Sequence, residues 1–135
     1  MPTERHPSGL LDTSVVIDLG RLDPAGLPTI PKISTVTLAE LGLGLHTASD
    51  RAERALRAER LQRVEAAFEP LPFTPDAARR FTHMAGLVIA AGRSARPRRM
   101  DLMIAAVASV NDLPLYTRNP KDFADLHTVL ITIEV

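Results

Sequence analysis

The sequence contains no cysteine and no tryptophan in its 135 residues. The first absence excludes a disulfide framework and any thiolate metal site. The second, with aromatic residues at only 4% of the chain, argues against a base-stacking platform for single-stranded nucleic acid. No apolar run is long enough to span a membrane. The polar start, Met1 to Ser8, lacks the apolar centre of a signal peptide. A cytoplasmic protein is the default expectation. Net charge is missing too: 16 basic residues balance 16 acidic ones, so bulk charge announces no nucleic-acid partner. Lysine is nearly absent, with only Lys32 and Lys121. The arginine excess suits bidentate phosphate contacts, and a GC-rich coding bias would produce it as well.

What remains is a chain with 45% apolar residues, read as one domain, residues 1–135, with Met1 to Pro7 as a loose tail. Gly9 to Leu11 read as the end of a buried strand, followed by a short helix over Ser14–Leu22. Ile30 to Ser34 fit a second strand, confined to a strand start or a sheet edge by Pro28 and Pro31. Thr37-Leu38-Ala39-Glu40 matches a capping box opening a buried helix. A long helix follows Ser49-Asp50, with Glu53–Arg57 and Glu59–Arg63 spaced to pair and Leu56, Leu61, Val64 and Phe68 as its apolar contacts. Leu71 to Phe73 fit a short strand. Thr74-Pro75-Asp76 is a strong helix start, and Gly92 is a natural stop. Asp101 opens a helix that is apolar on every face. Strands at Leu115–Thr117 and Val129–Ile133 flank a polar turn. Alternating strands and helices predict an α/β fold, a three-layer α/β/α sandwich with a mainly parallel sheet.

In such a sheet, strand C-termini and the N-termini of the helices they feed share one edge. Asp12, Glu40, Asp101, Asn119 and Asp122 all fall at that edge. Each has a bland reading: helix cap, capping box, N-cap, turn residue. One shared cleft accounts for them together. Clustered carboxylates raise one another's pKa unless something positive sits among them. A hard divalent cation, Mg²⁺ or Mn²⁺, is the simplest answer. Ser14 and Thr117 are candidates to hydrogen-bond metal-bound water or phosphate, although helix start explains Ser14, and strand packing Thr117, equally well. The histidines His6, His46, His83 and His127 show no zinc spacing and read as surface or packing residues. Arg93 to Arg99 form a basic loop, either a solvated loop or a set of phosphate contacts.

Four motifs carry a resemblance over nearly the whole chain: Leu10-Leu11-Asp12-Thr13-Ser14, Thr37-Leu38-Ala39-Glu40-Leu41, Asp101-Leu102-Met103-Ile104-Ala105-Ala106 and Thr117-Arg118-Asn119-Pro120-Lys121-Asp122-Phe123. The sequence resembles PIN-domain ribonucleases and, more narrowly, the VapC toxins of bacterial toxin–antitoxin pairs. The resemblance implies Mg²⁺- or Mn²⁺-dependent endoribonuclease activity on an RNA substrate. It assigns metal binding to Asp12, Glu40 and Asp101. Asn119 holds the place where family members often carry a further acid, with Asp122 one turn along. A cognate antitoxin and a homodimer are the implied partners, with Leu38–Leu45 and the Leu56/Val64 face as candidate surfaces. Two rivals stand beside this reading. An aspartyl-nucleophile phosphatase usually has a second acid two residues after the first, where Ser14 stands. A non-catalytic, receiver-like interaction domain with an acidic cation pocket expects a lysine after the last strands, and none is well placed.

Overall fold

Leu10 and Leu11 are neighbours in sequence but belong to different cores. The computed structural model describes residues 6–135. Its first strand, β1 (Ser8–Leu11), sends successive side chains to opposite faces. Leu10 packs with Met84, Val88, Leu102 and Ile104, while Leu11 packs with Val15, Val16, Ile33, Leu41 and Val64. On β3 (Leu115–Thr117), Leu115 joins the first cluster and Tyr116 the second. A sheet with a core on each face is the middle layer of the expected α/β/α sandwich. With β2 (Ile30–Lys32) and β4 (Thr132–Glu134) the order is β2-β1-β3-β4, and every pairing is parallel. Pro31 sits on the edge strand β2, where its missing N–H interrupts no inner ladder.

The helices are α1 (Thr13–Ile17), α2 (Thr35–His46), α3 (Arg51–Ala67), α4 (Pro75–Ala90) and α5 (Arg99–Val110). Val15, Val16 and Val64 bring α1 and α3 to one face; Met84, Val88 and the buried run Ile104–Ala108 bring α4 and α5 to the other. Thr74 caps α4 as expected, its hydroxyl accepting from the Ala77 amide at 3.1 Å. Gly92 ends that helix with φ +82°. The Arg93 amide reaches the Val88 carbonyl at 3.1 Å and the Gly92 amide the Ile89 carbonyl at 2.9 Å, a Schellman closure that only glycine enters without strain.

Several expectations are corrected. α1 stops at Ile17, and a 3₁₀ turn over Leu19–Arg21 follows instead of a helix to Leu22. α2 is capped by Ser34, whose hydroxyl accepts from the Thr37 amide at 3.2 Å, so Thr37 and Glu40 form no capping box. Asp101 lies inside the first turn of α5 and is not its N-cap, which is Arg98. Leu71–Phe73 gives a single parallel bridge, Ser34 to Leu71, and no strand. The last strand is Thr132–Glu134; Val129 and Leu130 precede it as core residues. Leu43 and Leu56 are 60% and 64% exposed, while Leu38 and Val64 belong to the core. His6 and Pro7 are tied to the sheet, the Pro7 carbonyl accepting from the Ile30 amide at 2.8 Å. The rest of the expected tail, residues 1–5, lies outside the described residues. Among the described residues no helix is long and apolar enough to cross a membrane.

Candidate active site

Asp12 directly follows β1, with only 5% of its surface exposed. As the residue before α1 it is placed to cap that helix, yet its side chain makes no capping hydrogen bond. It instead accepts at Oδ2 from two hydroxyls, Ser14 and Thr117, each at 2.9 Å. Those hydroxyls accept in turn: Ser14 from the Arg118 amide at 3.2 Å, Thr117 from the Asn119 amide at 3.0 Å. Asp12 thereby fixes the start of the loop that carries Asn119 and Asp122. Arg118 braces the same loop by pairing with Asp18 at 2.7 Å. Burial raises the Asp12 pKa, and the Ser14 and Thr117 hydroxyls and the Thr13 amide offset that. Asp122 adds a repulsion that pushes the same way as burial.

Glu40 is half-buried on α2 and accepts at Oε1 from the Thr13 hydroxyl at 2.8 Å. Burial raises its pKa, the Thr13 hydrogen bond lowers it, and the Asp12 charge raises it. Asp101 responds most clearly. Burial first, then the charges of Asp12, Glu40 and Asp122, push its pKa from 3.8 up to about 6, against the pull of Arg98. The four acids expected at one edge therefore share one electrostatic neighbourhood. No salt bridge reaches Asp12, Glu40 or Asp101 among the described residues. Nor do any three of the His, Asp or Glu side chains there already close around one point at metal-binding distance.

Asp122 is held differently, by Arg98, whose guanidinium donates to the Asp122 carbonyl at 2.8 Å and lies 3.6 Å from its carboxylate. This turns Arg98 toward the acids and away from the role in the basic loop that its sequence position suggested. Arg93 faces Asp125 at 3.6 Å, while Arg96 and Arg99 are exposed. Asn119 is exposed, its side chain caps nothing, and its backbone rather than its amide group joins the network. Thr13 and Thr37 were missed by sequence reasoning; their mutual contact is 3.0 Å. A cavity of about 700 Å³ lies at the opposite edge of the sheet, where His6, His83, His127 and Arg80 line it. It is remote from the acids. A smaller one of about 480 Å³ is lined by Thr13, Glu40, Ile17, Leu56 and Arg60 and adjoins them.

The model of the PIN domain family matches residues 9–127 of this chain. The chain belongs to the PIN-domain family. It is 43% identical over 122 residues to Ribonuclease VapC5 of Mycobacterium tuberculosis, covering 88% of this chain and 87% of that protein. This PIN domain also superposes on the crystal structure of VapBC-5, a member of the VapBC toxin–antitoxin family from M. tuberculosis. There the TM-score is 0.83 and the identity 39%, across 96% of this chain and 99% of the other. A toxin–antitoxin complex from Klebsiella pneumoniae gives a TM-score of 0.65 at 26% identity, across 94% and 99% of the two chains. This PIN domain is a VapC-type ribonuclease toxin. Nucleases of the family are generally metal-dependent.

Proposed function

We propose that this PIN domain is a Mg²⁺- or Mn²⁺-dependent endoribonuclease with Asp12, Glu40 and Asp101 as its metal ligands, neutralised by a cognate antitoxin. The observation that carries the reading is that these three buried or half-buried carboxylates share one neighbourhood with no salt bridge to any of them among the described residues; burial, and then the charges of Asp12, Glu40 and Asp122, push the Asp101 pKa up to about 6. Carboxylates are retained in such a cleft at a cost. Their oxygen-only donor set suits Mg²⁺ and Mn²⁺. A divalent cation there supplies charge stabilisation on the scissile phosphate and activation of the attacking water.

The chain's own residues do the rest. Ser14 and Thr117 hold one oxygen of Asp12, which fixes the carboxylate's orientation. Asp122 extends the negative edge, and Asn119 offers a neutral carbonyl or amide beside it for water or phosphate. The exposed Arg96 and Arg99 are the guides for RNA phosphates. Exposed Ile17 and Leu56 border the cavity beside Glu40, with exposed Leu43 on the same helix as Glu40. An antitoxin segment seated there would lie over the acids, and the VapBC structures that the fold matches are toxin–antitoxin systems. A homodimer completes the reading, and sedimentation equilibrium measures it.

The test is hydrolysis of a mixed RNA ladder by the purified protein in Mg²⁺, in Mn²⁺ and in EDTA. Cleavage in either metal and its loss in EDTA is the expected result. Undiminished cleavage in EDTA, or none in either metal, refutes the reading.

A further inference from the structure

Thr13 Oγ1 lies 2.8 Å from Glu40 Oε1 and 3.0 Å from Thr37 Oγ1. A hydroxyl has one proton to donate, and an ionised carboxylate only accepts. Thr13 therefore donates to Glu40, and at its other contact it accepts from Thr37. The order Thr37 to Thr13 to Glu40 follows from this proton count alone. Thr37 is fully buried, and its amide is already held by Ser34. It sits on α2 one turn before Glu40. Thr13 is the first residue of α1, directly after Asp12. The two hydroxyls thus tie the helix that carries Glu40 to the residue adjoining Asp12. Hydrogen bonds in series polarise one another, and the terminal acceptor gains.

We infer that Thr13 and Thr37 are positioning residues for Glu40, a two-hydroxyl relay that holds Oε1 and leaves Oε2 for a metal ion. The inference rests on the metal-dependent reading above. The bland alternative is that Thr13 only satisfies the buried Thr37 hydroxyl, with Glu40 a bystander. Valine has nearly the shape of threonine without the hydroxyl, so it separates the two. Thr13→Val alone strands the Thr37 hydroxyl, whereas Thr13→Val/Thr37→Val replaces both partners with apolar isosteres, a change that is often nearly neutral for stability.

The experiment measures Mn²⁺ binding by titration calorimetry and the melting temperature in EDTA, on the same variants. Thr13→Val should lower the melting temperature and weaken Mn²⁺ binding by about tenfold or more, the usual effect of removing a group that orients a metal ligand. The double valine variant should regain the melting temperature but not the Mn²⁺ affinity. Thr13→Ser, which keeps the hydroxyl, should retain both. Recovery of Mn²⁺ affinity in the double variant would make the role purely structural and overturn the inference. A second comparison does not depend on that variant folding: in a Glu40→Gln background, Thr13→Val should cost no further Mn²⁺ affinity, and a full additive loss overturns the inference. A parent that binds no Mn²⁺ refutes the metal reading and this inference with it. A parent that binds Mn²⁺ while Thr13→Val binds equally well refutes the inference alone.

Discussion

Asp101→Asn should stabilise the protein in EDTA at neutral pH. The Asp101 pKa is raised from 3.8 to about 6 by burial and by Asp12, Glu40 and Asp122. At about 1.4 kcal/mol per pKa unit the unscreened penalty for ionising it in the folded state is about 3 kcal/mol. The side chain is only half-buried, so screening by solvent reduces that to about 1 kcal/mol. Loss of a favourable charge in the first turn of α5 opposes the gain by about 0.3 kcal/mol or slightly more. The net is a melting temperature higher by about 2–4 °C for a chain of this size. The pH dependence has a definite sign. Between pH 3.8 and about 6 the folded state binds more protons at this carboxyl than the unfolded state, so the parent loses stability as pH rises through that window. Below pH 3.8 the carboxyl is neutral in both states, and the advantage of Asn vanishes. Mg²⁺ or Mn²⁺ should shrink or reverse the gain, because the parent binds the ion in its folded state and is stabilised by mass action. Thermal melts of both proteins at pH 4 and pH 7.5, in EDTA and in Mn²⁺, provide the measurement. A gain of equal size at both pH values, or none at either with no metal-dependent shift in the parent, refutes the shared-charge argument.

Asp12→Asn should abolish RNA cleavage and toxicity while the protein stays folded and still binds its antitoxin; a soluble variant cutting at the parental rate removes Asp12 from the ligand set. Arg96→Gln with Arg99→Gln should weaken RNA binding and reduce the slope of log affinity against log salt by about 1.4, the contribution of two phosphate contacts to a single strand. Filter binding across a salt series checks this, and an unchanged slope leaves those arginines as solvated surface. Gly9→Ala should cost about 1–3 kcal/mol of stability as an overpacking change. Its new Cβ would stand 2.7 Å from Cδ1 of the Tyr116 ring, which is itself almost fully buried. A denaturant midpoint equal to the parent's would mean that the ring moves freely.

The sequence made the acids legible because each is punctuated by a change of element: strand to helix at Asp12, loop to helix at Asp101, strand to turn at Thr117. The parallel sheet followed from the same alternation, and the Thr74-Pro75-Asp76 start needed only local chemistry. The start of α2 was misread because Ser34 and Thr37 both offer a capping hydroxyl, and the proline-flanked strand was extended through Ser34. Its true end at Lys32 frees Ser34 to cap. That shift removes the capping role of Glu40 and leaves its place in the cleft, and reading Thr37 as the N-cap hid its hydroxyl contact with Thr13. Leu43 was misplaced because α2 is apolar almost all round and has no periodicity to mark its wet side, whereas Leu56 lies on the exposed side of the charged helix α3. Three histidines share one cavity although His6, His83 and His127 are far apart in sequence. No spacing rule detects that, since only the packing of α4 against the sheet edge collects them.

The hydrogen bond from Thr117 to Asp12 spans 105 residues of chain, and the Arg118–Asp18 bridge spans 100. β1 lies between β2, which is made soon after it, and β3, which is made about a hundred residues later. A chain emerging from the ribosome N-terminus first must therefore carry β1 with one side unpaired until residues 115–117 arrive. Pairings between such distant segments are slow to form. Asp12 acquires its Thr117 hydroxyl, and its Asp122 neighbour, only after about a hundred further residues have been made. For a protein whose activity is directed at RNA, the translating ribosome is the first RNA it meets. The topology of the sheet keeps the Asp12 network incomplete until the strands on both sides of β1 have been made.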